Sequence, residues 1–204
     1  MPFRGTGEES AVWRLLADLL SALSAAHKAS ILHLDIKPGN VLLDGTGGYV
    51  LTDFGVSQAS RMNRGMIPMS VGTPGYRAPE QREGEFAKYD LRTDLWGVGA
   101  TAYSMATGVN LAEHQHLIRD GSEGETFGLP PISDSRMFFS KELEDVVMSM
   151  LQIDPARRPG SVAEVLARIQ AIVTGSGFDA ETVAATRRRN VDDAEVEELI
   201  ESLV

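Results

Sequence analysis

The chain has 204 residues, 43% of them apolar and 24% charged, with a formal net charge of −10 and no cysteine. That composition is ordinary for a soluble globular fold with a real core and argues against disorder throughout. The missing thiols exclude a disulfide framework, thiolate zinc and a cysteine nucleophile, and suit a reducing cytoplasm; the acidic balance excludes a nucleic-acid binder held by a basic surface.

No charged segment leads into an apolar stretch at the N-terminus, so no signal peptide is expected. From Ser10 to about Ala29, Val12, Leu15, Leu16, Leu19, Leu20 and Leu23 recur at helical spacing, which predicts a helix with one apolar face and Ser10 as its N-cap. Pro38 and Gly39 break any helix through Ile31–Asn40, which reads as a loop. Val41-Leu42-Leu43 and Tyr49-Val50-Leu51 flank Asp44-Gly45-Thr46-Gly47-Gly48 and predict a hairpin. Gly55 to Pro79 has no periodicity and is too long for a plain connector.

From Leu91 onward the pattern is helical. The first of these helices covers about Leu91 to Ala106, with a looser stretch at Leu111–Ile118. The longest uncharged run, Leu95 to Ala112, is 18 residues of which 11 are apolar, and it reads as a helix buried in protein rather than a membrane span. A further helix starts near Ser140, with Leu143, Val146, Val147, Met150 and Leu151 on one face. Another starts at Ser161, where Ser161-x-x-Glu164 is a capping box ahead of Val162, Val165, Leu166, Ile169 and Val173. Residues 175–204 hold 8 acidic and 3 basic residues, and Asp192-x-x-Glu195 opens a short amphipathic helix. This divides the chain into a domain over 1–174 and an acidic linker or tail over 175–204. No repeat is present. His114 and His116 do not make a zinc site, and Arg187-Arg188-Arg189 reads as a solvated linker.

The chemistry concentrates in five ordered stretches. His33-Leu34-Asp35-Ile36-Lys37-Pro38-Gly39-Asn40 sets an acid, a cation and an amide within one loop. Asp53-Phe54-Gly55 follows, then Gly72-Thr73-Pro74-Gly75-Tyr76-Arg77-Ala78-Pro79-Glu80. Asp94-Leu95-Trp96-Gly97-Val98-Gly99 and Asp154-Pro155-x-x-Arg158-Pro159 complete the series. Each is weak alone, but their order and spacing are specific. Together they resemble the catalytic loop, magnesium loop, activation-segment end, central buried helix and final loop of the protein kinase family, over about Ser10 to Val173.

The resemblance implies a mainly α fold with a small β-hairpin, similar to the C-terminal lobe of a protein kinase; the complete family fold is α+β. It implies transfer of the γ-phosphoryl group of ATP, with Mg²⁺, to Ser or Thr hydroxyls of a protein substrate. Phosphoryl transfer needs positioning and charge neutralisation more than covalent help. Carried over residue by residue, Asp35 is the base that orients and deprotonates the hydroxyl, and Lys37 neutralises charge on the transferring group. Asn40 and Asp53 offer the oxygens a hard cation takes, Gly55 allows the turn after them, and Phe54 packs apolarly. Thr73 bonds Asp35 and Lys37 on the substrate side. A lysine two residues after the base, with Thr73, favours Ser/Thr over Tyr acceptors. Asp94 is implied as a buried carboxylate holding the catalytic-loop backbone, Glu80 and Arg158 as a buried ion pair, and His33 as an orienting residue.

The sequence departs from the family twice. Leu34 stands where many kinases have arginine, and Met69 stands where a phosphorylatable threonine is common, so activity is expected not to depend on activation-segment phosphorylation; Ser57, Ser60 and Ser70 remain candidate sites. Nothing ahead of the Ser10 helix resembles the N-terminal lobe. Gly5-Thr6-Gly7 lacks the strand pair of a nucleotide cover, and the strand lysine and its helix glutamate are not found. The chain alone is therefore expected to be inactive until an N-lobe from a longer chain or a partner completes it. The competing reading is a noncatalytic, kinase-derived interaction module. Neither reading involves nucleic acid or a membrane segment.

Overall fold

The stripe Val12, Leu15, Leu16, Leu19, Leu20 and Leu23 lies against the interior along helix α1, Gly7–Lys28, each side chain at most 2% exposed. Burying each is worth roughly 1.5–3 kcal/mol, which makes α1 a principal wall of the core. The computed structural model describes residues 7–54, 72–83, 89–113, 129, 132–134 and 139–175. Expectations resting on Gly5, Thr6, Gly55, Ser57, Ser60, Met69, Ser70, His114, His116, Arg187, Arg188, Arg189 and the helix opening at Asp192 fall outside them.

Helix α1 begins before Ser10, so Ser10 is an interior position and not the N-cap. The reason is long-range. Glu9 is buried and accepts hydrogen bonds from Trp13 Nε1 (3.2 Å), from the Ser140 backbone N–H (3.2 Å) and from the Ser140 hydroxyl, a contact that the extra turn of helix aims across the core. The other end of α1 closes in a Schellman motif. Ser30 takes the left-handed conformation (φ 59°), Ser30 N–H donates to His27 C=O at 3.0 Å, and Ile31 N–H donates to Ala26 C=O at 2.9 Å. This turn delivers the chain directly into the loop at 31–37.

A 3₁₀ turn at Pro38–Asn40 leads into β1, Val41–Leu43, which pairs antiparallel with β2, Tyr49–Leu51, in the register Val41↔Leu51, Leu42↔Val50, Leu43↔Tyr49. Asp44 Oδ1 closes the turn between them, accepting from Thr46 N–H, Thr46 hydroxyl and Gly48 N–H at 2.8 Å each. Two side chains of α1 tether the hairpin. Arg14 Nη1 donates to Gly47 C=O at 3.0 Å, and Asp18 accepts from Tyr49 N–H at 2.9 Å.

After the short helix α2, Pro79–Glu83, comes α3, Leu91–Thr107, opened by Asp90, whose carboxylate accepts from Arg92 N–H (2.7 Å) in a capping box with Thr93. Every residue from Thr93 to Ser104 is buried, so the first part of the uncharged run lies inside protein while Met105, Gly108 and Asn110 are exposed, and no helix among the described residues is long and apolar enough to cross a membrane. Gly97 is what lets the 31–37 loop lie on α3: a Cβ there would stand 2.8 Å from Ile36 Cβ. Residues Leu111–Glu113 form a turn rather than the start of a looser helix. Helix α4, Lys141–Met150, is capped by Ser140 and packs on α3; α5, Val162–Gly175, packs on α1. At the start of α5 the Ser161 hydroxyl accepts from Glu164 N–H (3.2 Å), but the Glu164 carboxylate takes Gly160 N–H (2.7 Å), one residue earlier than in the expected box. The described fold is mainly α-helical with one two-stranded antiparallel sheet.

Candidate active site

The loop at 31–37 is a strand-like passage with no sheet partner, so its backbone groups need side-chain acceptors. Asp94, in the first turn of α3 with its side chain fully buried, supplies two. Its Oδ2 accepts from His33 N–H at 2.9 Å and its Oδ1 from Leu34 N–H at 2.8 Å. His27 Nε2 from α1 lies 2.8 Å from the same Oδ2. Buried His33 holds the other side. Its Nε2 is 3.0 Å from Thr52 C=O, Asp35 N–H donates to its Nδ1 at 3.3 Å, and Phe54 meets its ring edge-on at 4.5 Å.

The side chains this scaffold presents form a closed triangle. Lys37 Nζ donates to Asp35 Oδ2 at 2.8 Å and to Thr73 Oγ1 at 2.6 Å, while Thr73 Oγ1 donates to Asp35 Oδ1 at 2.9 Å. Thr73 thus accepts from the cation and donates to the carboxylate, the one arrangement that satisfies all three groups. Asn40, buried at the end of the 3₁₀ turn, donates through Nδ2 to Asp35 C=O at 2.8 Å and toward Asp35 Oδ2 at 3.3 Å. Those donations turn its amide oxygen away from Asp35. Thr52 ties the hairpin exit to the same residue, its N–H and hydroxyl donating to Asn40 C=O at 2.9 and 3.2 Å. One residue on, Asp53 is exposed and left-handed, with φ 65°.

The structure therefore brings Asp35, Lys37, Asn40 and Thr73 into direct contact and sets Asp53 at the adjoining rim. Phe54 is partly buried against the core. Glu80 and Arg158 form a bidentate pair at 2.8 Å and 2.8 Å, almost wholly buried; Thr93 Oγ1 also donates to Glu80 at 2.9 Å, and the Arg158 guanidinium lies over the Trp96 ring at 5.0 Å. The pair fastens the segment at 72–83 to the base of α3. Sequence reasoning missed His27, at 67 residues from Asp94, and Gln81, whose amide reaches the Leu34 carbonyl 47 residues away. Neither contact leaves a periodic or spacing signal.

Asn40 Oδ1 and the Asp53 carboxylate are one neutral and one anionic oxygen donor, a set that suits Mg²⁺, which keeps most of its shell as water and phosphate oxygens. No cluster of three or more His, Asp or Glu stands together among the described residues, so a site fully enclosed by such protein ligands is not seen among them.

A family model described as protein kinase domain matches residues 3–169. The chain is 37% identical over 163 residues to the probable serine/threonine-protein kinase nek2 of Dictyostelium discoideum, covering 78% of this chain and 37% of that one. It is 31% identical over 182 residues to the G2-specific protein kinase nimA of Emericella nidulans, covering 74% and 25%, and 29% identical over 164 residues to the probable serine/threonine-protein kinase PknB of Corynebacterium glutamicum, covering 75% and 24%. The chain thus spans well under half the length of each of these relatives.

Proposed function

The chain belongs to the protein kinase family, and on that premise we propose that it carries the catalytic-loop lobe of a serine/threonine kinase, active when a nucleotide-holding N-lobe completes it. The closed triangle of Asp35, Lys37 and Thr73 is the observation that carries the reading. A substrate hydroxyl brought to Asp35 meets a carboxylate already oriented from both oxygens. As the hydroxyl oxygen bonds to the γ-phosphorus and the bond to the ADP oxygen breaks, its proton passes to Asp35. Lys37 offsets charge growing on the transferring group, and Thr73 holds both in register from the acceptor side. Protein kinases use ATP and Mg²⁺, and the bound cation supplies electrostatic stabilisation of the phosphates. Asn40 and Asp53 would hold it. ATP as donor is consistent with a cytoplasmic setting.

A second lobe is supported by the surface it would cover. Leu42, Leu43 and Val50 on the hairpin are 56%, 69% and 45% exposed, and Leu42 faces Val50 across the register. On the opposite face of the sheet, which carries Leu43, a cavity of about 560 Å³ opens between the hairpin and α3, lined by Lys37, Val41, Leu43, Tyr49, Thr101 and Met105 among others. The exposed Leu42–Val50 pair and the cavity bordered by Leu43 are together the surface that an added lobe would cover. The same surface is what a noncatalytic scaffold would use, so the two readings separate on chemistry alone. The test is phosphotransfer to a Ser/Thr peptide with an N-lobe supplied in trans or by fusion. Asp35→Asn is expected to cut transfer by about 10²–10⁴-fold while leaving nucleotide binding in place. Equal, zero transfer by both forms in a complex that binds ATP would favour the scaffold.

A further inference from the structure

Gln81 is 3% exposed, and both ends of its amide are engaged. Oε1 accepts from Ala78 N–H at 3.0 Å, just ahead of α2, and Nε2 donates to the Leu34 carbonyl at 2.9 Å. The first bond orients the amide so that its donor side faces the second. An apolar side chain of similar volume would fill this buried position with no polar group to satisfy. A burial-only role therefore leaves the amide unexplained, and the donor itself needs a purpose.

The acceptor gives one. Leu34 has φ 67°, a left-handed conformation that side chains with a Cβ rarely adopt. Its peptide groups are gripped from two sides: Asp94 takes the N–H at 2.8 Å, and Gln81 takes the C=O at 2.9 Å. Gly72, with φ 88°, closes a third side, since a Cβ there would lie 2.9 Å from Leu34 O and 3.3 Å from Gln81 Nε2. The carbonyl so held belongs to the peptide bond that begins Asp35. Rotation of that peptide would swing Asp35 out of its bonds to Lys37 and Thr73.

We propose that Gln81 is a positioning residue for Asp35, a permanent, uncharged latch that joins the 72–83 segment to the catalytic loop through the Leu34 carbonyl. The function served, alignment of the base, rests on the kinase reading above; the latch is a property of the fold and is tested without phosphotransfer. It also explains how the acceptor-side segment stays registered to the loop where Leu34 can offer no cation to a phosphate.

The test uses the full 204-residue chain, labelled for amide hydrogen exchange and read as protection factors from pH 5 to pH 8. Gln81→Met is expected to lower Asp35 amide protection roughly five- to tenfold at every pH, because that N–H shares the peptide whose carbonyl loses its hydrogen bond. Gln81→Glu presents no donor when ionised and matches that loss at pH 8. Melting curves of the two variants at pH 8 check that they are equally folded. Undiminished protection in Gln81→Met, or in Gln81→Glu at pH 8, overturns the proposal. Should the variants not fold, the unmodified chain still decides: the Gln81 side-chain amide protons exchange slowly if latched, and as fast as those of exposed glutamines if not. A failed transfer assay leaves these readouts unmoved, so the two readings stand or fall separately.

Discussion

The two sides of the catalytic loop are finished differently. Toward α3, Asp94 receives two backbone N–H groups, His27 and His33 brace the same turn, and Ile36 presses onto Gly97. Toward the hairpin, Leu43 borders an open cavity, and Leu42 and Val50 stand in solvent on the other face of the sheet. Asp35 and Lys37 thus sit on a loop fixed by groups beneath it, while the hairpin side is left exposed. The difference teaches that the Asp35–Lys37–Thr73 triangle is held by groups beneath the loop, whatever settles on the hairpin side.

The strongest way to break that contrast is Asp94→Ala. It strands the buried His33 and Leu34 N–H groups without an acceptor, and about 3–5 kcal/mol of stability should be lost in urea unfolding at pH 7. Acid acts more gradually, at the start of α3 and on α4. At Asp90 burial opposes ionisation, yet the Arg92 side-chain and backbone hydrogen bonds outweigh it and hold the carboxyl below its ordinary range. At Glu144 burial again opposes, and the Ser133 N–H and hydroxyl with Lys141 outweigh it. Both groups bind protons less readily folded than unfolded, so their contribution is full above the unfolded carboxylate range and falls away as pH drops through it toward the folded values. Urea midpoints followed from pH 6 down to pH 3 should decline, and less steeply in an Asp90→Asn, Glu144→Gln double variant.

On the upper side the expected effects are small in the isolated chain. Leu42→Ser should shift the urea midpoint by no more than about 0.5 kcal/mol equivalent, because the side chain is already wet, yet it should weaken association with an added N-lobe in calorimetry. A large stability loss would mean that the hairpin face is part of the core. The smallest effect is none. Replacing Ser57, Ser60 and Ser70 together by Ala should leave transfer by the completed kinase unchanged, since the buried Leu34 has no charge with which to read a phosphate.

Local rules were readable in the sequence where local forces decide. The α1 stripe follows the helical period, α3 and α4 start near Leu91 and Ser140 as their patterns indicate, and the five motifs fall in order. The misreadings occur where a distant partner outweighs a local preference. Ser10 lost its capping place because Glu9 reaches Ser140, 131 residues away. Glu164 passes over Ser161 N–H for Gly160 N–H. His27 and Gln81 each serve an acceptor far along the chain, and hydrogen bonds to a buried carboxylate or carbonyl impose no spacing that a single sequence reveals.

The hairpin turn has a practical consequence. Asp44 closes it with bonds of its own, and a Cβ at Gly45 would meet nothing within 4 Å. Because the chain contains no cysteine, Gly45→Cys would install the sole thiol in the molecule, on a rigid knuckle beside the exposed leucines. A fluorophore attached there becomes a reporter whose emission changes when something settles on that face, and remains quiet while the loop beneath does its chemistry.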